Sequence, residues 1–197
     1  MLMFRPIIHE IVVLWFCLQV ICDSDLKILH CIARWPGSVH DARILRESKL
    51  YSDFEGQNKP LSGFILGDSG YMLRDWLLTP IINPQPQEEA YNTAHCGTRC
   101  TIERCIGVIK RRWHCLHTEL RVAPAKACKI ICACFVLHNR ATHLHHPLPE
   151  PEDEEPNDSE PDTPTAQDAS VCCQPTEHAR VAAGKMARQS LIQQFFS

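Results

Sequence analysis

Apolar residues occur in short blocks over the first eighty positions and at helical spacing after residue 88. Residues 11–18 form an eight-residue apolar run, too short to span a bilayer and without a small-x-small cleavage site behind it, so a buried strand or helix segment is expected. Residues 18–23 and 26–33 read as two strands joined at Ser24-Asp25, a predicted hairpin. Arg34-Trp-Pro-Gly37 breaks the second strand, and Ser38-Val-His-Asp41 reads as a capping box opening a helix over 42–48. Residues 57–62 are loop, 64–67 a short buried strand, 71–78 a helical segment ended by Pro80, and 80–86 irregular. A long helix is predicted over 88–116, with Ile102, Ile106, Ile109, Trp113 and Leu116 as its apolar stripe and Gly97 as its weak point. After Pro124, residues 126–142 read as a largely buried helix.

Beyond Pro147 the composition shifts. Residues 150–168 hold nine Asp/Glu, four prolines and no Lys or Arg, which cannot offset ordering entropy by burial and reads as a solvated spacer. Residues 177–196 are helix-compatible and end in Leu191, Ile192, Phe195 and Phe196, the pattern of a short helix that docks on a partner. The chain of 197 residues thus divides into an atypical segment 1–17, a core 18–146, an acidic linker 147–176 and a helical tail 177–197.

Charge follows that division. Residues 1–146 carry seventeen Lys/Arg against thirteen Asp/Glu, a net +4, while 147–197 carry three against ten, a net −7. The basic body suits a nucleic-acid partner weakly, and ordinary solvated charge accounts for it equally well. Twelve cysteines include no Cys-x-x-Cys pair, so neither a zinc finger nor a disulfide framework is expected. Cys128, Cys132 and Cys134 lie among isoleucines and Phe135, where a thiol behaves as a small buried hydrophobe; reduced thiols of an intracellular protein are the expectation. His143, His145 and His146 read as loop histidines beside Pro147.

Three carboxylates have local structure behind them: Asp41 at a helix start, Asp68 at a strand tip in Gly67-Asp-Ser-Gly70, and Glu103 on a helix flanked by Arg99, Arg104, Lys110, Arg111 and Arg112. Acidic oxygens beside phosphate-attracting cations are what a metal-dependent nuclease requires. Each also has a plain structural reading: Asp41 as a helix cap, Asp68 as a turn former, Glu103 as the partner of Arg99 or Arg104.

Six words occur in order: Arg34-Trp-Pro-Gly-Ser-Val-His-Asp41, Leu66-Gly-Asp-Ser-Gly-Tyr71, Leu77-Leu-Thr-Pro80, Tyr91-Asn-Thr-Ala-His95, Ile102-Glu-Arg-Cys-Ile-Gly107 and Val136-Leu-His-Asn139. Together they resemble the PIF/Harbinger family of DDE transposases and the domesticated Harbinger transposase-derived nucleases, over residues 18–140. The closing residues 187–197 look like the end of such proteins. The resemblance implies an α/β fold of RNase H-like type, a mixed sheet flanked by helices with carboxylates at one edge. It also implies a nuclease acting on DNA, with Asp41, Asp68 and Glu103 as catalytic residues and ligands of a divalent cation, Mg²⁺ or Mn²⁺. A nuclear location is implied, with the cytoplasm as a second one, as are DNA and a Myb/SANT-like nuclear protein as partners; no membrane association is expected.

One family word has no counterpart here. The Asp-Gly-Thr-His-like strand that supplies a further aspartate falls upstream of residue 18, where the chain has only Glu10 as an acid. The sheet is therefore expected to lack its first strand, and Asp23 is the nearest substitute carboxylate. A catalytically inactive remnant that serves as a nuclear interaction or DNA-binding module is the competing expectation.

Overall fold

The computed structural model describes residues 9–13, 16–36, 41–56, 63–118, 120–149 and 175–196. Strands β1 (His9–Val13), β2 (Phe16–Cys22) and β3 (Ile28–Pro36) form an antiparallel meander in that order. The expected hairpin is present, and β3 continues past the predicted break at Arg34 to Pro36. Its turn is organised by Asp23, whose Oδ1 accepts from the amides of Asp25 and Lys27, both at 3.0 Å, while Leu26 adopts a left-handed φ of 61°. That carboxylate is occupied by the turn. A strand nevertheless precedes β2: β1 pairs with the edge of β2 opposite β3, with Glu10 opposite Gln19, and it carries no aspartate.

Alternate residues of β2 enter different cores. Val20 and Cys22 pack with Leu26 and Ile28 against the two long helices described below, whereas Ile21 packs with Leu45, Phe54, Ile65 and Trp76 on the other face. A strand buried on both faces reads as a continuous apolar run, which is why no polar alternation marks this one. The result is a mixed α/β arrangement with helices on both sides of the sheet.

Helix α1 (Asp41–Arg46) begins at the predicted place but is shorter. A second helix, α2 (Lys49–Glu55), follows at once, its N-terminus capped by Ser48 Oγ accepting from Tyr51 N at 3.1 Å. The proposed capping residues 38–40, the loop 57–62 and the acidic stretch 150–168 lie outside the described residues. Strand β4 (Ile65–Leu66) pairs in parallel with β5 (Leu77–Leu78). The helix expected over 71–78 is not formed. Here the segment is extended, and Trp76 O and Leu78 O accept from Ile65 N and Gly67 N at 2.7 and 2.8 Å.

Helix α3 (Glu89–Arg112) runs unbroken through Gly97 and stops four residues before the predicted end; a separate 3-10 turn holds His114–Leu116. A Cβ at Gly97 would meet nothing within 4 Å, so this glycine answers no packing demand. Gly97→Ala should therefore stabilise the protein by about 0.5–1 kcal/mol through reduced unfolded-state entropy, read as a raised urea midpoint at constant m. Helix α4 (Pro124–His143) starts with Pro124 in its first turn, as helices tolerate. It is buried along one side only: Ile131, Cys134, Phe135 and His138 face the core while Val136 and Leu137 are exposed, which corrects the expectation of a largely buried helix.

The Val-Leu-His-Asn word proves to be a clamp between α4 and the hairpin. Asn139 accepts from Ile28 N at 2.8 Å and donates to Ile28 O at 2.7 Å, while His138 Nε2 lies 2.7 Å from Leu26 O. Asn92 repeats the device two motifs earlier, closing the same two-bond ring on the amide and carbonyl of Ile81 at 2.9 Å each. Side-chain amides thus satisfy backbone groups at strand ends where no neighbouring strand does.

Helix α5 (Pro175–Phe195) forms where helical residues were expected, but its apolar end docks on its own chain. Leu191 and Ile192 are buried with Leu66, Leu73, Leu78 and Tyr91, and Arg188 donates to Thr79 O and Pro80 O at 3.1 and 3.4 Å. At Gly184 the helix passes so close that an added Cβ would lie 2.8–2.9 Å from the backbone of Arg74. Of the residues read as a partner-docking surface, Leu191 and Ile192 are therefore internal core and Phe196 packs against them, while Phe195 is 44% exposed. No helix among the described residues is long and apolar enough to cross a membrane.

Candidate active site

Asp68 lies just beyond the end of β4 in a compact knuckle. Its Oδ1 accepts from Gly70 N at 2.8 Å, an Asx turn that fixes the carboxylate's direction. Gly67 is required by the fit: a Cβ there would sit 3.0 Å from the Tyr71 ring. Tyr71 is buried, and its hydroxyl accepts from Gln19 Nε2 at 2.9 Å, which ties the knuckle to β2. Asp68 is thus held from both sides while remaining half-buried at the surface.

Glu103 stands on the outward side of α3, its side chain 66% exposed, and pairs with Arg99 Nη2 at 3.6 Å one turn earlier. A surface pair of this kind is worth about 0.3–0.5 kcal/mol, so it yields readily to a stronger ligand. Asp41 is the first residue of α1; its side chain lies outside what is described. Of the three carboxylates, the structure gives Asp68 a turn and Glu103 an arginine, as their plain structural readings expect. Oxygen donors of this type suit Mg²⁺ or Mn²⁺. Among the described residues, however, no three His, Cys, Asp or Glu side chains are placed to hold one ion. The described side chains alone therefore do not complete a metal site.

His95, part of the Tyr91–His95 word, connects the two regions. It sits eight residues before Glu103 and four before Arg99 on α3, buried, with Nε2 3.3 Å from Leu78 O. Its pKa is lowered from 6.5, chiefly by burial and further by Arg99 and Arg188, against the opposing pull of the Leu78 carbonyl and the Asp68 carboxylate. Leu78 O also accepts from Gly67 N at 2.8 Å, so the residue before Asp68 and His95 of α3 meet at one carbonyl. The i, i+4, i+8 spacing of His95, Arg99 and Glu103 was the signal available in the sequence. Behind His95 lies a cavity of about 190 Å³ lined by Phe64, Leu66, Tyr91, Leu191 and Phe196, too apolar to receive a phosphate.

His30 and His138 are likewise held below 6.5 by burial. A histidine whose folded pKa is depressed takes up its proton in the unfolded chain first, so its stabilising contribution is present above about 6.5 and is lost as pH falls toward the folded value. Thermal melts should accordingly show a flat Tm down to about pH 6.5 and a decline below it; a Tm unchanged at pH 5.5 would contradict the burial of these imidazoles.

Comparison with known proteins agrees with the order of the motifs. The model of the DDE superfamily endonuclease family matches residues 16–139. The mouse (Mus musculus) protein named "Putative nuclease HARBI1" is 38% identical over 148 residues, covering 70% of this chain and 42% of that protein. Its Homo sapiens counterpart is 41% identical over 128 residues, covering 62% and 36%. "Protein ALP1-like" of Arabidopsis thaliana is 33% identical over 138 residues, covering 62% and 34%. The chain spans less than half the length of each of these relatives. No solved structure matches it. With most of its length accounted for by one family model, the chain belongs to the DDE superfamily endonucleases.

Proposed function

We propose that this chain is the core of a divalent-metal-dependent nuclease derived from a Harbinger transposase, cleaving DNA phosphodiester bonds in the nucleus, with the cytoplasm as a second location. The supporting observation is that the family match takes in Asp41, Asp68 and Glu103, and that Asp68 stands at a strand end with its carboxylate direction fixed by the Gly70 amide. In this reading residues 18–146 are an RNase H-like core, 147–176 a linker and 177–197 a tail helix that completes the packing. Asp41, Asp68 and Glu103 are the catalytic carboxylates and the ligands of Mg²⁺ or Mn²⁺, and their hard oxygen donors match those ions. Arg104, Lys110 and Arg111, on the same helix as Glu103, hold the DNA backbone without reading its sequence. The test is nicking of supercoiled DNA by the reduced protein with Mg²⁺ or Mn²⁺, alongside thermal melts with each ion. Cleavage together with ion-dependent stabilisation supports the proposal; neither effect at millimolar metal refutes it.

A second reading has its own observation. Glu103 is engaged by Arg99, and no three ligating side chains converge among the described residues. A catalytically silent module that binds DNA or a Myb/SANT-like nuclear protein would need no such convergence. DNA binding that is unaffected by removal of divalent metal, with no nicking, selects this reading.

A further inference from the structure

The C-terminal end of α4 is closed by a turn of fixed geometry. His145 takes a left-handed φ of 54°, its amide donates to Thr142 O at 3.1 Å, and the amide of His146 donates to Ala141 O at 3.0 Å. These two bonds make a Schellman motif, which ends the helix and turns the chain back. The returning residue Pro147 is tied to α3, because Arg112 Nη2 donates to its carbonyl at 3.2 Å. The end of α4, the end of α3 and the returning residues 146–149 thereby line a surface groove of about 510 Å³. Backbone bonds hold its walls, so an occupant finds it already formed.

The lining combines exposed apolar surface with cations. Leu137 and Leu144 of α4 and Leu148 of the returning segment are 48%, 49% and 52% exposed, and all three line this one groove. Leu137, Arg140 and Leu144 follow at three and four residues, along a side of α4 that the core leaves uncovered. Arg112, Arg140 and His146 line the same space, and no Asp or Glu is among the described residues that do. The Trp113 indole adds a donor, its Nε1 buried with no hydrogen-bond partner among the described residues. Such a surface suits apolar side chains accompanied by carboxylates. Nucleic acid fits it poorly, since leucines and prolines give a phosphate backbone nothing to bond. The chain's own acidic stretch also fits poorly: residues 150–168 hold no large apolar side chain to set against the leucines.

We propose that this groove docks a short acidic peptide of a partner protein. Two apolar side chains of the peptide seat on Leu137 and Leu144, which stand about 10 Å apart along α4, and flanking carboxylates pair with Arg112 and Arg140. Anchors at that separation belong to residues about seven apart in a bound helix or about three apart in an extended segment. Covering the leucines supplies affinity, and the arginines select an acidic sequence over a basic one. The proposal stands apart from DNA cleavage: nicking tests the carboxylates and is no readout of this groove.

The test pans a phage library of short random peptides against the reduced full chain. Synthetic forms of the enriched sequences are then titrated by fluorescence anisotropy into the parent, Leu137→Glu, Arg140→Glu and the control Met186→Glu, which alters an exposed apolar residue of α5. Enriched sequences should combine Asp or Glu with Leu, Phe or Trp at the stated separation. Their Kd should rise about tenfold or more in Leu137→Glu and Arg140→Glu and stay unchanged in Met186→Glu, with similar melts throughout. Should Leu137→Glu melt early, Arg140→Glu carries the same test, because Arg140 is exposed. No enrichment, enrichment of basic or uncharged sequences, or a Kd indifferent to both groove variants would overturn the proposal. So would a dimer in sedimentation velocity that Leu137→Glu dissociates, because this face would then belong to a second copy. A gain of about tenfold in peptide affinity on deleting residues 150–168 would make that stretch the occupant and overturn it too.

Discussion

Arg74→Ala is expected to lower stability by about 3–5 kcal/mol and to release α5 from the body of the protein. Arg74 is only 2% exposed, and its guanidinium is held by Glu55 at 3.4 Å, by Glu177 of α5 and by the Tyr51 hydroxyl at 3.0 Å. Arg180 of α5 closes the network on the other oxygen of Glu55 at 3.1 Å. Truncating the arginine leaves two largely buried carboxylates with only the half-exposed Arg180 between them, and that under-compensated charge is the source of the loss. For a chain of this size the melt should fall by on the order of 10 °C, with Trp76, stacked on Phe54 at 4.8 Å, as the fluorescent reporter. Adding Glu55→Gln and Glu177→Gln should recover part of the loss, because the neutral amides need no counter-ion. A triple variant no more stable than Arg74→Ala would assign the loss to packing alone. Gly184→Ala attacks the same interface without touching charge. Its methyl group would press on the Arg74 backbone, costing about 1–3 kcal/mol and exposing the 175–196 segment to protease.

Those contacts mark where sequence reading stopped. The β2–β3 hairpin was legible because two apolar runs flank a two-residue polar turn, and α3 because its isoleucines keep helical spacing for several turns. The segment 71–78 was misread because apolar residues in so short a stretch fit a helix face and a pair of strand positions alike. Only the pairing of Leu77 and Leu78 with Ile65 and Leu66 decides between them. The docking of α5 left no periodic signal. It depends on Gly184, which lets two backbones meet, and on Arg188, whose acceptors Thr79 and Pro80 lie more than a hundred residues away.

The site divides in the same way. Asp68 was visible because an Asp-Ser-Gly turn after an apolar strand has a local mechanism, and the structure shows that mechanism. Asp23 looked like a spare carboxylate at the sheet edge, yet its oxygen is used by the hairpin turn two and four residues on. The Tyr-Asn-Thr-Ala-His and Val-Leu-His-Asn words could have signalled chemistry. Instead Tyr91, Asn92, His95, His138 and Asn139 each satisfy a backbone group. They hold β5 and the hairpin at fixed places against α3 and α4. Whether Asp68 and Glu103 can serve one ion is set by that placement, across thirty-five residues of chain, and spacing alone carries no measure of it.

Asp68→Asn therefore gives the sharpest separation of chemistry from fold. The amide keeps an Oδ1 that can accept from Gly70 N, so the turn, the Tyr71 contact with Gln19 and the Tm should be preserved to within about 0.5 kcal/mol. What is lost is the negative charge, and with it the ability to hold a hard cation. Outer-shell partners of metal sites already cost about 10–100-fold when removed, so loss of what we propose is a direct ligand should reduce Mg²⁺-dependent nicking by on the order of 100-fold or more. Glu103→Gln should behave alike, since the Arg99 pair it breaks contributes little to stability. Each variant is compared with the parent by circular dichroism melts and by initial nicking rates at saturating Mn²⁺ and Mg²⁺. Full activity in a well-folded Asp68→Asn protein would remove this residue from the site. Activity lost together with Tm would show instead that the knuckle's charge is structural. Where the parent itself nicks DNA, an unchanged melt with a hundredfold slower reaction identifies Asp68 as the carboxylate on which cleavage depends.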